Sequence, residues 1–277
     1  MASMSNIKAR MKSVTGTMQI TKAMELVASS KLRRAKLGAE GARPYLAVSE
    51  SAVHTLLSLG DMQASPYLRR GDGPTLYLVI AGDRGLAGGY NSNVFRLTAS
   101  LVKESEGAVY LPLGKKALEH CRHRGLAIWS DRYPEVAEVG VGASMRIAQE
   151  ITRAFAQGTI GAVVLVFTEF TSMMTQTPMT KTLLPMTAPD APIPECEVLE
   201  DTEELIDSIL PAYLGGLIHH AVCESLAAEC GARRTAMNAA SNNAKEMMDT
   251  LTLRYNQARQ AVITQEITEI VSGAEAL

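Results

Sequence analysis

From Ala232 to its end the chain contains no proline, and its only glycine there is Gly273. Within that stretch apolar residues recur at Met237, Ala240, Ala244, Met247, Leu251, Tyr255, Ala258 and Val262. Steps of three and four residues lay a single stripe along a helix. The stripe runs on through Ile263, Ile267 and Ile270. Helical pattern reaches back to Pro211, which suits a proline in the first turn. A helix of about sixty residues spans roughly 90 Å at the helical rise. No compact domain of this size can cover it, so it needs another helix alongside or a partner around it.

The other end supplies a matching helix. Residues 3 to about 59 read as helical, with Ser5 as N-cap. Ile7, Met11, Val14 and Met18 form the stripe. The phase then slips by one, to Ile20, Met24 and Val27. Such a slip changes the local supercoil. The segment from Ser13 to Thr17 around Gly16 is poor helix material, since Gly costs about 1 kcal/mol relative to Ala. A strained turn is expected there. Pro44 is expected to kink or interrupt the helix, which resumes through Leu46, Val53, Leu56 and Leu57 and stops by Gly60.

Between the helices the pattern changes. Leu76–Ile80, Val109–Leu113 and Ala162–Thr168 are short apolar strands of the kind buried in parallel sheets. Leu126–Trp129 is expected as a further strand. Helices are expected from about Asn91 to Glu104, over Lys115–Arg124 and over Ala143–Ala156. Phe167–Met173 and Thr180–Leu184 can pair as a hairpin. Residues 187 to 202 form a Pro-rich, acidic connector. Strands alternating with helices indicate an α/β sandwich. A compact domain between two long helices makes those helices antiparallel. The reading is therefore a mixed α+β / α/β chain. Its domains are an N-terminal coiled-coil helix over 1–60, an α/β domain over 75–190 and a C-terminal coiled-coil helix over 205–277.

Charge separates the regions more than it marks the whole. The 277 residues carry a net charge of −2, which argues against nucleic-acid binding by bulk charge. Yet Lys8, Arg10, Lys12, Lys22, Lys31, Arg33, Arg34 and Lys36 face only Glu25 in the first 37 residues, while Asp190 to Asp207 is acidic without a balancing base. The basic helix has three readings: a solvated face, a contact to an acidic protein, or a nucleic-acid contact. No aromatic residues interleave the basic ones, which disfavours the last. Cys121, Cys196, Cys223 and Cys230 lack paired metal spacing and read as reduced thiols in the cytoplasm. There is no run of eighteen apolar residues and no apolar block of a secretory signal at the start.

One loop invites a ligand. Gly82, Gly85, Gly88 and Gly89 follow the first strand, where dinucleotide folds hold a pyrophosphate. Their spacing matches neither GxGxxG nor GxxxxGK[ST], and Asp83 would repel phosphate. A structural turn joining strand to helix is the plainer reading. His120 and His123 around Cys121, and the adjacent His219 and His220, read as helix residues rather than ligands. No catalytic, cofactor or metal constellation emerges from spacing.

Three separated stretches carry a family resemblance across the whole chain. They are Ile20–Met24 with Val27–Arg33, Asp83–Gly89 with Asn91, and Tyr255–Glu266. Together they resemble the gamma subunit of F-type ATP synthases. The resemblance implies a Rossmann-like middle domain without a nucleotide, and a non-catalytic rotor shaft with no cofactor. Its partners would be an alpha3-beta3 hexamer, the epsilon subunit and the ring of c subunits, one copy per complex. Its place would be peripheral, at the cytoplasmic face of the bacterial plasma membrane. The basic helix would then turn against acidic segments of the beta subunits. By the same resemblance Arg259, Gln260 and Thr264 match positions that bond a beta-subunit loop, and Met24 and Arg233 match a lower contact level. Met18 stands where a polar residue is common, and Gln257 where lysine is common. The rival readings are a small-molecule α/β enzyme with a helical arm and a free-standing coiled-coil scaffold.

Overall fold

The computed structural model describes residues 4–58, 65–102, 107–187 and 202–275. The acidic run from Asp190 to Asp201, Cys196 and the expected stop at Gly60 lie outside the described residues. In chain order the elements are α1 (Met4–Ser58), β1 (Thr75–Ile80), α2 (Tyr90–Val102), β2 (Ala108–Leu113), α3 (Lys115–Arg124), α4 (Val141–Ala156), β3 (Ala162–Phe170), β4 (Gln176–Leu184) and α5 (Thr202–Glu275). The long terminal helices and the central α/β region expected from sequence are present. Two compact units divide the chain: Met1–Ala28 with Arg234–Leu277, and Ser29–Arg233.

The first unit pairs the N-terminal half of α1 with the C-terminal part of α5, antiparallel. Buried or half-buried positions on α1 include Met4, Ile7, Met11, Val14, Met18, Thr21, Glu25 and Ala28, with Thr15, Gly16 and Met24 half-buried beside them. The series from Met4 to Ala28 alternates steps of three and four, the spacing of a coiled-coil seam. On α5 Met237, Ala244 and Leu251 are buried at intervals of seven, flanked by half-buried Ser241, Met248, Tyr255 and Ala258. The expected phase slip does not occur: Ile20 is 63% and Val27 57% exposed. The seam instead keeps its register by accepting polar side chains that find partners. The Thr21 hydroxyl donates to Met18 O at 3.0 Å, and Glu25 is bonded by Lys22 and Asn238. The helix is unbroken through Gly16, with the Thr15 hydroxyl donating back to Met11 O and that of Thr17 to Ser13 O. Met248 takes the seam position expected for Met247, which is 45% exposed.

The second unit is a three-layer α/β fold. Its sheet runs β2-β1-β3-β4, with β1 parallel to β2 and β3, and β4 antiparallel to β3. Alternate strand residues face opposite cores, as the pleat dictates. Leu76, Leu78, Ile80, Leu111, Leu113 and Leu165 pack with α4, with Val53, Leu56 and Leu57 of α1, and with Ile206 to Val222 of α5. Tyr77, Val79, Tyr110 and Val166 pack beneath α2 and α3. With both faces covered, every residue of β1 is buried. The sheet's main core thus includes residues from both long helices.

Three local expectations change. Leu126–Trp129 forms no strand; Ile128 makes an isolated parallel bridge to Tyr110, secured by Tyr110 N to Ala127 O and Trp129 N to Tyr110 O. Only one rung forms because the chain leaves Gly125 in a left-handed turn and then departs from the edge. Pro44 lies inside α1 without ending it. It is exposed, where solvent can satisfy the carbonyl that proline cannot bond. Pro211 is likewise internal, because α5 begins at Thr202. Part of α5, within Glu204–Ser272, is long and apolar enough to cross a membrane by composition, with mean hydropathy 1.2. Half of that window is buried inside the protein, the mark of a helix lining a core.

Candidate functional site

The glycine loop after β1 is filled by the chain's own groups. Asp83 supplies the anion. Its carboxylate accepts from Lys115 N at the start of α3 at 3.2 Å, from Val136 N at 2.8 Å and from Ala137 N at 3.1 Å. Helix N-termini offer unpaired N–H groups to anions, and here a side chain takes up that position. Gly82 N donates to Asn91 Oδ1 at 2.9 Å. A Cβ on Gly114 would meet Ala81 O at 2.2 Å, so the ends of β1 and β2 close tightly on each other. The loop is a structural turn, the plainer of its two readings.

Behind the loop, α5 carries a buried polar row. Ser225 Oγ accepts from Thr168 N at 3.1 Å and Glu224 Oε2 from Phe170 N at 2.9 Å, satisfying the end of β3. Tyr90 is buried against the same row; burial raises its pKa, and the nearby Glu229 adds to the rise. Arg233 pairs with Glu229 and donates to the carbonyls of Arg84 and Gly85.

The histidines take structural places. The His120 ring stacks on Phe95 at 4.1 Å between centroids. Burial lowers its pKa, with Arg124 and His123 adding to the fall. Burial likewise lowers His219 and His220. Cys121 faces the core from α3 itself, and burial pushes it and Cys230 up to about 11. Among the described residues no three His, Cys, Asp or Glu side chains gather as a metal cluster.

The five expected contact residues fall into different settings. Met24 is half-buried at the border of the helix seam. Arg233 sits in the second unit with its side chain 12% exposed. Arg259, Gln260 and Thr264 are exposed on the last part of α5. The Thr264 hydroxyl donates to Gln260 O at 2.9 Å. Among the described residues the side chains of Arg259 and Gln260 make no ion pair or hydrogen bond of their own. Beyond Ala258 every side chain described is exposed, including Val262, Ile263, Ile267, Ile270 and Val271. In the basic helix Lys8, Arg10 and Lys12 are exposed, Lys22 pairs with Glu25, and Lys36 lies 5.5 Å from the Phe170 ring centroid.

Sequence reasoning missed Glu25. It stands in the seam at 8% exposure, held by Lys22 at 3.0 Å and Asn238 at 3.3 Å. The hydrogen bond from Lys22, outweighing partial burial, holds its carboxyl below the usual range. The signal was available: Met4, Met11, Met18 and Glu25 recur every seven residues.

These features define a class: a pair of long terminal helices joined to a Rossmann-like unit whose phosphate end is closed by the protein itself. The family model described as "ATP synthase" matches residues 3–277. The chain is 43% identical to an ATP synthase gamma chain of Ruminococcus albus, over 99% of this chain and 98% of that one. It is 38% identical to that of Heliobacterium modesticaldum over the full length of both. A chain of the Euglena gracilis mitochondrial ATP synthase, in a structure of its OSCP/F1/c-ring, shares the fold with a TM-score of 0.66 at 16% identity. That match covers 99% of this chain and 94% of the other. This chain belongs to the ATP synthase gamma chain family.

Proposed function

We propose that this chain is the central rotor shaft of an F-type ATP synthase, a non-catalytic subunit. It couples rotation of the c-ring to conformational change at the catalytic beta subunits. The observation that carries this reading is the full-length match to gamma chains, joined to a helix pair whose last part is apolar and exposed. A ligand or partner shifts a conformational equilibrium only through differential contact with its states. An asymmetric shaft makes such contacts with each beta subunit in turn, so equivalent sites differ in affinity at any moment.

The finer assignments extend that reading. The shaft lies within an alpha3-beta3 hexamer, one copy per complex. Residues 75–190 form the domain that reaches the epsilon subunit and the c-ring. The complex is held peripherally at the cytoplasmic face of a bacterial plasma membrane. Arg259, Gln260 and Thr264 bond one beta subunit at an upper level; Met24 and Arg233 serve a lower one. The exposed apolar residues from Val262 onward sit in an apolar sleeve of the partner subunits. Support comes from their exposure, since isolated helices are marginal in water and gain most of their stability from packing.

Hydrogen exchange tests the reading. Amides of 260–272 should be poorly protected in the isolated chain and protected once ATP-hydrolysing partner subunits are bound. Full protection in the isolated chain would contradict it. Replacing Arg259 and Gln260 together should slow ATP turnover while assembly persists.

A further inference from the structure

We propose that Arg233 is a positioning residue: with Glu229 it latches the glycine-rich loop 82–89 to α5, so that loop and helix move as one piece during coupling. This rests on the rotor reading and adds, to the place of Arg233 at the lower contact level, a part within its own unit.

The geometry commits the guanidinium inward. Nε donates to Gly85 O at 3.3 Å, while one terminal nitrogen reaches Arg84 O and Gly85 O, each at 3.3 Å, and Glu229 Oε1. Side-chain exposure is 12% for Arg233 and 6% for Glu229. Three acceptors within its own unit, Arg84 O, Gly85 O and Glu229 Oε1, already engage this cation. The planar fork of arginine can serve two carbonyls and a carboxylate together, which a lysine ammonium on its flexible stem cannot.

The loop is built to receive the latch. A Cβ at Gly82 would lie 2.7 Å from Glu229 Oε1, so glycine is what admits the carboxylate. Leu86 has φ +63° and Gly88 φ +56°. Left-handed backbone is disfavoured for leucine and persists where the surroundings over-determine it. Those surroundings are Ala87 and Tyr90, buried against Ala228, together with the two carbonyls that Arg233 holds. The outcome is a loop fastened to α5 on one side, with Arg84 and Leu86 exposed on the other.

The test uses the assembled complex with Arg233→Lys, Arg233→Ala and Glu229→Gln. Two quantities are read: amide exchange across 84–89, and ions pumped per ATP hydrolysed. Arg233→Lys keeps the charge and the Glu229 pair but loses the fork. Loop exchange should rise about tenfold, as for a local opening made easier, and pumping per ATP should fall. Arg233→Ala should do at least as much. Should it fail to assemble, Glu229→Gln should still raise loop exchange, by about threefold. Full rescue of both readouts by lysine would show that Arg233 acts as a plain charge; the latch would be overturned while the rotor reading stood. Unchanged loop exchange in every variant would overturn it too. A loosened loop with wild-type pumping per ATP would remove its part in coupling. Absence of pumping in the wild-type complex would count against the rotor reading, and loop exchange in the isolated chain would still decide the latch.

Discussion

The two units bury apolar surface in different ways. Leu76, Leu78, Ile80, Leu111, Leu113, Ile147, Ile151 and Leu165 are all under 2% exposed, and all belong to the α/β unit. In the helix pair the best-covered large apolar side chains are Met237, Leu251 and Ile7, at 6%, 7% and 9%. A sheet covered on both faces closes a three-dimensional core. Two helices share only a seam, and solvent reaches its edges. The α/β unit therefore carries its own packing stability. The helix pair tolerates a carboxylate in its seam, and beyond Ala258 its described side chains are exposed.

The largest effect that sharpens this contrast is Leu165→Ala. Truncating a leucine in a closed core leaves a cavity and should cost about 3–5 kcal/mol. Leu251→Ala in the seam should cost about 2 kcal/mol, because solvent and neighbouring methionines refill the gap. Denaturant unfolding of each variant reads both values. Equal losses at the two positions would break the comparison.

A smaller effect is expected from acidification. The carboxyl of Glu25 is held below its usual pKa, chiefly by Lys22. A group lowered on folding adds stability that is present above its unfolded pKa and disappears as pH falls through the folded one. Protection of the helix pair should therefore decline in the acid carboxylate range more steeply in the wild type than in Glu25→Gln. Superimposable pH profiles would show that the seam does not depend on the ionised group. The smallest effect belongs to Ile20→Ser. An exposed side chain away from the seam should shift stability of the isolated chain by less than about 0.5 kcal/mol. A loss near that of Leu251→Ala would place Ile20 in the seam and restore the phase slip.

Periodicity made most of the fold legible. The α3 helix over Lys115–Arg124 and the antiparallel β3–β4 edge were readable because local propensity and tertiary demand agree there, although the pairing differs from the expected segments: Thr180–Leu184 pairs with Val163–Val166, and Phe167–Phe170 pairs with Gln176–Met179. The seam was misread where they part. Thr21 and Glu25 look solvent-facing by type, and the partner that helps Glu25 into the seam is Asn238, more than two hundred residues away. Pro211 looked like a helix start because the apolar wall that carries α5 onward, Ile206 to Val222, is created by the sheet. The glycine loop could be called structural from its spacing. That Asp83 serves as its anion, and that Arg233 grips its carbonyls, are facts of three-dimensional proximity that leave no periodic trace.

The central claim is that this chain turns. A visible probe attached to an exposed position such as Arg96, in a complex whose alpha and beta subunits are fixed to a surface, tests it most directly. On addition of ATP the probe should rotate in one direction, at a rate that follows hydrolysis. A probe that stays still while ATP is hydrolysed at the normal rate would contradict the account.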